Sequence, residues 1–298
     1  MAIAEVLRSK VISDLHKVKV VERCWPTWQQ AYRALCGNPP DATKLINDLG
    51  SNLRSVFATT ASAGRSQDEL SGGGAAWEAL VCWYLNLCLI GTNAVVVKKT
   101  SHLPEPLRDA LTLSYGTSQT NTESDLVAIT FPTSPELDGF MGPYSGKKRI
   151  EIDKVLASLM GQLEACVIQC KTNWNDNAQI PMLWDLVYSS TGFSAAGVSI
   201  GRNSHSVRTL KRFAYAFITA PSNPREQFKK DSMSVLRVSK LSGGNYWGCP
   251  RKNGVAGAVA DIFARNFVST TQVPGKPWLN HLSLEIKKLG QEYSYFKY

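Results

Sequence analysis

The most informative stretch of this chain is Ala165-Cys166-Val167-Ile168-Gln169-Cys170-Lys171-Thr172-Asn173. Its first five residues are uncharged, which predicts a buried β-strand that ends in a polar exit. Successive side chains of a strand alternate between faces, so Gln169 and Lys171 share one face, whereas Ile168 and Cys170 occupy the other. An amide oxygen and an ammonium side by side at a strand end are suited to binding a metal ion and orienting a water molecule.

The segments on either side predict an α/β fold. Residues 75–89 form a helical pattern that is apolar on nearly every face, which indicates burial. Further helices are predicted at 150–163 and 180–188, and further strands at 94–97, 125–131 and 213–219. This order predicts a central mixed β-sheet flanked by helices.

The chain divides into three regions. Residues 1–70 are predicted to be an accessory helical region, and residues 71–220 the mixed-sheet core. Residues 221–298 are predicted to form a basic C-terminal region packed on that core, with a strand at 235–238 and helices at 255–267 and 278–289. A chain of 298 residues is long enough for a substantial hydrophobic core.

The composition indicates an intracellular protein, and we expect a prokaryotic cytoplasm. The seven cysteines include no CxxC pair and most lie in apolar runs, which suits buried thiols in a reducing compartment. Charges occur near the N-terminus where a signal peptide needs its apolar stretch. The nineteen uncharged residues 79–97 approach membrane length, but Gly91-Thr92-Asn93 divides them into a helix and a strand, so no membrane association is expected.

The positive charge is concentrated in the last third of the chain. The net charge is +9, and residues 201–298 hold sixteen Lys or Arg against five Asp or Glu, or +11, which leaves −2 for residues 1–200. Such asymmetry predicts a surface that binds a polyanion, because Lys and Arg neutralise phosphates. A basic, soluble face without a partner is the alternative.

A candidate catalytic group consists of Glu78 on the buried helix, Asp125 at the start of one strand, and Gln169 with Lys171 at the end of another. Hard cations such as Mg²⁺ take oxygen ligands, so Asp125, the Gln169 amide and the Cys170 carbonyl form a predicted partial metal shell. Lys171 is then placed to hold the attacking water. This division of roles suits phosphodiester hydrolysis.

Each of these residues also has a purely structural interpretation. Lys171 is then a solvated strand-end lysine and Asp125 a turn or cap residue. Glu78 sits in the predicted first helical turn, where the macrodipole favours an acid. Gln169 is the hardest to explain in this way, because an amide in a core strand needs hydrogen-bond partners.

Glu78 lies in a predicted helix, Ser124-Asp125 open a predicted strand, and Gln169-Cys170-Lys171 close the next strand. In this arrangement the chain resembles the PD-(D/E)xK nuclease superfamily, especially its type II restriction endonucleases. The resemblance covers residues 75–219. It implies a Mg²⁺-dependent nuclease in which Asp125 and Gln169 bind the metal, Lys171 assists the nucleophile and Glu78 supplies an additional acid.

The sequence departs from the family pattern at three points. Gln169 replaces the usual acid, and Ser124 replaces the usual proline. The segment between Asp125 and Gln169 is also long for the motif, so residues 132–163 are expected to form an inserted excursion. We expect the amide of Gln169 to give a weaker or differently arranged metal shell than an acid would.

Two further groups of residues are predicted to contact DNA. The amides that follow the strand suit adenine or phosphate, although a capped helix start explains them equally well. The basic residues suit phosphates, with ordinary surface charge as the alternative. The predicted contacts are Asn173, Asn175, Asn177, Arg208, Lys211, Arg212, Lys229, Lys230, Arg251 and Lys252.

The leading functional hypothesis is a sequence-specific, Mg²⁺-dependent endonuclease of restriction type that cuts double-stranded DNA as a homodimer. A repair or junction nuclease with the same core and a catalytically inactive DNA-binding protein are the alternatives. Zinc is unsupported, because the four histidines lack metal-ligand spacing. A phosphate-binding P-loop is excluded, because Gly72-Gly73-Gly74 lacks the required Lys-Ser/Thr.

Overall fold

The segment around Gln169 forms the middle strand of a mixed sheet. A computed structural model describes residues 2–60, 72–121, 124–172, 197–220, 236, 240, 244–246, 260–271, 275 and 277–298. The strands are β1 Ala94–Val97, β2 Leu113–Tyr115, β3 Ser118–Thr120, β4 Leu126–Thr130, β5 Glu164–Thr172, β6 Val198–Ile200, β7 Arg212–Ala220 and β8 Gly244–Tyr246.

Helices precede, interrupt and follow these strands. The α-helices are α1 Ile3–Leu15, α2 Lys19–Cys36, α3 Ala42–Lys44, α4 Gly50–Ala58, α5 Gly72–Cys88, α6 Glu105–Ala110, α7 Pro135–Asp138, α8 Gly146–Ser158, α9 Ala260–Asn266, α10 Val268–Thr271 and α11 Trp278–Glu285. A π-helical segment, Leu45–Leu49, joins α3 to α4, and single 3₁₀ turns include Met160–Gln162 before β5 and Ile286–Lys288 after α11.

The main sheet has the strand order β1-β4-β5-β7-β8. β4 is antiparallel to both β1 and β5, whereas β7 is parallel to β5 and β8 is parallel to β7. β4 and β5 pair with Leu126 opposite Ile168, and β5 and β7 pair with Gln169 opposite Phe217. The predicted α/β class with a mixed sheet and flanking helices is therefore confirmed.

A second, small sheet was not predicted. β2 pairs in antiparallel fashion with both β3 and β6. Each strand has three residues, which is too short for an alternation of apolar and polar side chains to identify a strand, and the largely exposed β3 is Ser-Gln-Thr.

Helix α5 is buried against β1 and β5, as the apolar pattern of residues 75–89 predicts. Within Ala76–Ile90 every residue is buried except Glu78. The helix begins at Gly72, because glycine also adopts helical dihedral angles, so Glu78 lies in the second turn. The prediction that Glu78 sits in the first turn is wrong, and its interpretation as an N-terminal dipole residue loses its basis.

The excursion between β4 and β5 contains α7 and α8 and returns the chain to the neighbouring antiparallel strand. The predicted helix at 150–163 begins earlier, at Gly146, and ends at Ser158 before the 3₁₀ turn. The helix predicted at 180–188 lies outside the described residues, as does the first part of the helix predicted at 255–267. Of the strand predicted at 235–238 only residue 236 is described, and it is helical, so the prediction of a strand is wrong at that residue.

The N-terminal helices and the C-terminal residues pack into the same hydrophobic core as the main sheet. Trp83 of α5 donates from Nε1 to the carbonyl of Phe296 at 3.2 Å, and Gln29 of α2 donates to the carbonyl of Lys297 at 2.8 Å. The division at residues 70 and 220 stays a prediction. Six cysteines in the described ranges are buried and form no disulfide. None of the helices described there has the length and apolar character needed to cross a membrane.

Candidate active site

The candidate site lies at the end of the main sheet where β4 begins and β5 ends. β4 starts at Leu126 opposite Ile168, so the backbone N–H of Cys170 extends past the end of its neighbouring strand. A buried N–H needs an acceptor, and Oδ2 of Asp125 accepts from it at 2.8 Å. The Lys171 ammonium lies 4.0 Å from the same oxygen. The antiparallel register thus brings Asp125 and Lys171 together.

Burial dominates the electrostatics of Asp125. Removal from water raises the pKa of this carboxyl, against the lowering effects of the Lys171 ammonium and the Cys170 N–H. Glu78 raises it further and Lys98 lowers it, so both residues lie close enough to act on the carboxylate. The Asp125 side chain keeps 19% of its surface exposed, which leaves the group accessible from solvent.

Glu78 forms an ion pair with Lys98, a residue that the sequence reasoning missed. Helix α5 supplies Glu78, and Lys98 directly follows β1. Both side chains remain partly exposed. The available signal was Lys98-Lys99 immediately after the buried Val95-Val96-Val97, because a lysine in that position emerges at the end of the sheet.

Gln169 is buried, with 6% of its surface exposed, and its amide has a defined partner. The hydroxyl of Tyr215 on β7 donates to Oε1 of Gln169 at 2.6 Å. Burial holds the pKa of Tyr215 well above its ordinary value, so the hydroxyl stays protonated and remains a donor. Tyr215 was also missed, although a hydroxyl in the middle of an apolar strand was a signal for a buried polar contact.

Cys170 contributes through its backbone. Its side chain is buried, and burial raises the pKa of the thiol well above its ordinary value. The contact observed at the site is its N–H to Asp125, and metal binding by its carbonyl stays a prediction.

Three of the predicted DNA contacts lie at the other end of the sheet. Lys211 and Arg212 stand at the start of β7, and Lys211 Nζ is 3.1 Å from Oε1 of Glu164 at the start of β5. The seven steps along the chain from Glu164 to Lys171 span about 23 Å of extended strand. Because β7 runs parallel to β5, the structure does not bring Lys211, Arg212 or the nearby Arg208 to the candidate site, and DNA binding by them stays a prediction.

The remaining predicted DNA contacts lie outside the described residues. They are Asn173, Asn175, Asn177, Lys229, Lys230, Arg251 and Lys252.

Chemically, the site combines hard oxygen donors with positive charge. Asp125 and Glu78 supply carboxylates and Gln169 an amide oxygen, while Lys171 and Lys98 supply ammonium groups. Within the described ranges, no three His, Cys, Asp or Glu residues cluster as metal ligands. Such a site suits one divalent cation bound by a carboxylate and an amide, beside an anionic substrate.

The sequence matches no protein-family model, and no curated protein is similar enough to be matched.

Proposed function

We propose that this chain is a Mg²⁺-dependent endonuclease that hydrolyses phosphodiester bonds in double-stranded DNA. The observation that carries the proposal is the placement of Asp125, a half-buried carboxylate 4.0 Å from the Lys171 ammonium at the end of β5. The resemblance to PD-(D/E)xK nucleases implies such a pairing of an acid at one strand start with a lysine at the next strand end. The helix, strand, strand, strand order of α5, β1, β4 and β5 supports the same assignment.

The donor set fits Mg²⁺. This ion prefers oxygen ligands, keeps several waters and needs only one or two carboxylates from the protein. Asp125 supplies a carboxylate oriented by Cys170, and Gln169 supplies a neutral oxygen. Partial burial leaves the ionised carboxylate of Asp125 poorly solvated, which raises its pKa. A cation bound beside Asp125 would compensate this negative charge.

Each residue has a defined part in the proposed reaction. Bound Mg²⁺ supplies Lewis-acid chemistry, polarising a phosphoryl oxygen and lowering the pKa of a water molecule. Asp125 and Gln169 hold the ion, and the Asp125 charge keeps the Lys171 ammonium in place. Lys171 donates hydrogen bonds that orient the attacking water. Lys98, paired with Glu78, adds positive charge that attracts the substrate phosphate.

We further propose restriction-type specificity and a homodimer. A palindromic duplex cut on both strands is matched by two-fold symmetry in the protein. The surplus of +11 over residues 201–298 supplies the charge for phosphate contacts.

A catalytically inactive DNA-binding protein is the second candidate. The observation that favours it is Gln169, which puts a neutral amide, already bonded to Tyr215, where the related nucleases usually carry an acid. A neutral ligand attracts a cation less strongly than a carboxylate does.

Cleavage assays with matched variants test the proposal. The wild-type protein is incubated with phage DNA, short duplexes and branched DNA, with Mg²⁺ or with EDTA. The site variants are Asp125→Ala, Asp125→Asn and Lys171→Ala, and the asparagine variant retains an oxygen for the Cys170 N–H. Asp138→Ala and Lys154→Ala are the controls, because both residues are exposed on helices of the excursion.

We expect Mg²⁺-dependent cleavage by the wild type and by both controls, with a loss of about a hundredfold or more in each site variant. Equal cleavage by all the proteins contradicts the site assignment. Discrete fragments from phage DNA support restriction-type specificity, whereas selective cutting of branched DNA supports a repair nuclease. DNA binding without metal-dependent cleavage supports the inactive protein.

A further inference from the structure

The amide at Gln169 raises a problem of orientation that a carboxylate does not. A carboxylate presents an oxygen at either end, whereas an amide presents an oxygen at one end and an NH₂ group at the other. The NH₂ group is a donor and repels a cation. A glutamine therefore serves as a metal ligand only when its oxygen is held in one of two nearly isosteric positions.

Tyr215 supplies that selection. Its hydroxyl donates to Oε1 of Gln169 at 2.6 Å, and each residue is only 6% exposed. In this arrangement the hydroxyl donates its proton to the oxygen end of the amide, which stabilises the orientation that presents the oxygen. The bond uses one lone pair of the amide oxygen and leaves the second for another partner.

The sheet register explains why the hydroxyl reaches this amide. β5 and β7 are parallel, and Tyr215 pairs with Val167, two residues before Gln169 on the same face. The tyrosine ring extends along that face toward the end of the sheet. The Asp125 carboxylate acts electrostatically on the Tyr215 hydroxyl, and it accepts a hydrogen bond from the backbone N–H of Cys170, the residue that follows Gln169.

We infer that Tyr215 is a positioning residue that holds the amide oxygen of Gln169 in the orientation required for binding a divalent cation together with Asp125. This inference rests on the proposed function, because it concerns the same metal site. It adds a residue that the sequence reasoning did not single out, and it explains how a neutral amide acts as a ligand there.

Binding of Mn²⁺ alone, measured by isothermal titration calorimetry, provides a readout that does not depend on cleavage. The variants are Tyr215→Phe, Gln169→Glu and the double variant. Tyr144→Phe is the matched control, because Tyr144 is also buried and donates its hydroxyl to Asp153, away from the site.

We expect Tyr215→Phe to weaken Mn²⁺ binding about tenfold, at the lower end of the effect of removing a group that orients a metal ligand. Tyr144→Phe should leave the affinity unchanged. In the Gln169→Glu background, Tyr215→Phe should change the affinity less than about threefold, because either end of the carboxylate presents an oxygen. This rescue separates orientation of the amide from a general loss of packing.

Wild-type Mn²⁺ binding that is unchanged in Tyr215→Phe overturns this inference and leaves the proposed function standing. Wild-type protein that neither binds Mn²⁺ nor cleaves DNA overturns the proposed function and the inference with it. If Tyr215→Phe alone lowers the folded fraction, Gln169→Glu is compared with the double variant, and a full tenfold loss between those two overturns the inference.

Discussion

Asn86 provides the sharpest test of how the fold places the candidate site. Its side chain is completely buried on α5 and bonds to the backbone of the edge strand β1. Oδ1 accepts from the N–H of Val96 at 3.0 Å, and Nδ2 donates to the carbonyl of Val96 at 2.7 Å. The amide therefore satisfies the backbone groups that a further strand would otherwise pair. It also joins α5, which carries Glu78, to the strand that ends beside Lys98.

The magnitude for Asn86→Ala follows from these contacts. The substitution removes three hydrogen bonds to the backbone, the two to Val96 and one from Nδ2 to the carbonyl of Cys82 at 2.9 Å, and a weaker contact from Nδ2 to the Cys82 sulfur at 3.6 Å. Each contributes about 1 kcal/mol net, and a buried donor left without a partner costs about 1–3 kcal/mol. The Val96 carbonyl retains the weak Cys82 thiol contact, so the N–H is the group left unsatisfied. The two other bonds contribute about 2 kcal/mol together and the unsatisfied N–H costs about 1–3 kcal/mol, so we expect the free energy of unfolding to fall by about 3–5 kcal/mol.

Urea unfolding followed by tryptophan fluorescence and by circular dichroism measures this loss. Asn52→Ala is the control, because Asn52 is exposed and its Nδ2 donates to the carbonyl of Asp48 on the helix surface at 2.8 Å. We expect the control to lose less than about 0.5 kcal/mol. If Asn86→Ala destabilises the protein no more than Asn52→Ala does, the edge of the sheet does not depend on this side chain and the reasoning is refuted.

Two further outcomes are expected. Burial lowers the pKa of His16 from 6.5 to about 4, so between these pH values the unfolded chain binds a proton that the folded chain excludes. The free energy of unfolding should therefore fall by on the order of 2–3 kcal/mol as the pH drops from about 6.5 to 4. Urea unfolding of His16→Gln should lose this pH dependence. The buried carboxylate of Asp109 accepts hydrogen bonds from Arg202 Nε at 2.6 Å and from Asn203 Nδ2 at 2.9 Å. Asp109→Ala should therefore destabilise the loop after β6 by about 2 kcal/mol. Unchanged hydrogen exchange of the β6 amides in this variant would count against the anchoring role of Asp109.

Much of the fold was predictable because its signals are local. The apolar run of α5 and the β-branched and uncharged runs of β1, β4 and β5 each lie within one short segment. Strand alternation likewise placed Gln169 and Lys171 on one face. The strands of the small sheet were missed because each has only three residues and because the pairing of β2 with β6 joins segments distant in the chain.

The candidate site was predictable only in part. Asp125 and Lys171 were expected together, and the antiparallel pairing of β4 and β5 places them 4.0 Å apart. Lys98 and Tyr215 were missed, because each acquires its role from a partner more than 19 residues away in sequence.

Residue order alone established which segments are buried, which are strands and which polar side chains share a strand face, because these properties depend on side-chain periodicity over a few residues. Strand direction and register then settled what those side chains meet. The antiparallel step from β4 to β5 brings Asp125 to Lys171, whereas the parallel step to β7 places Lys211 and Arg212 at the opposite end of the sheet. Direction and register depend on packing across the whole core, which no single segment encodes.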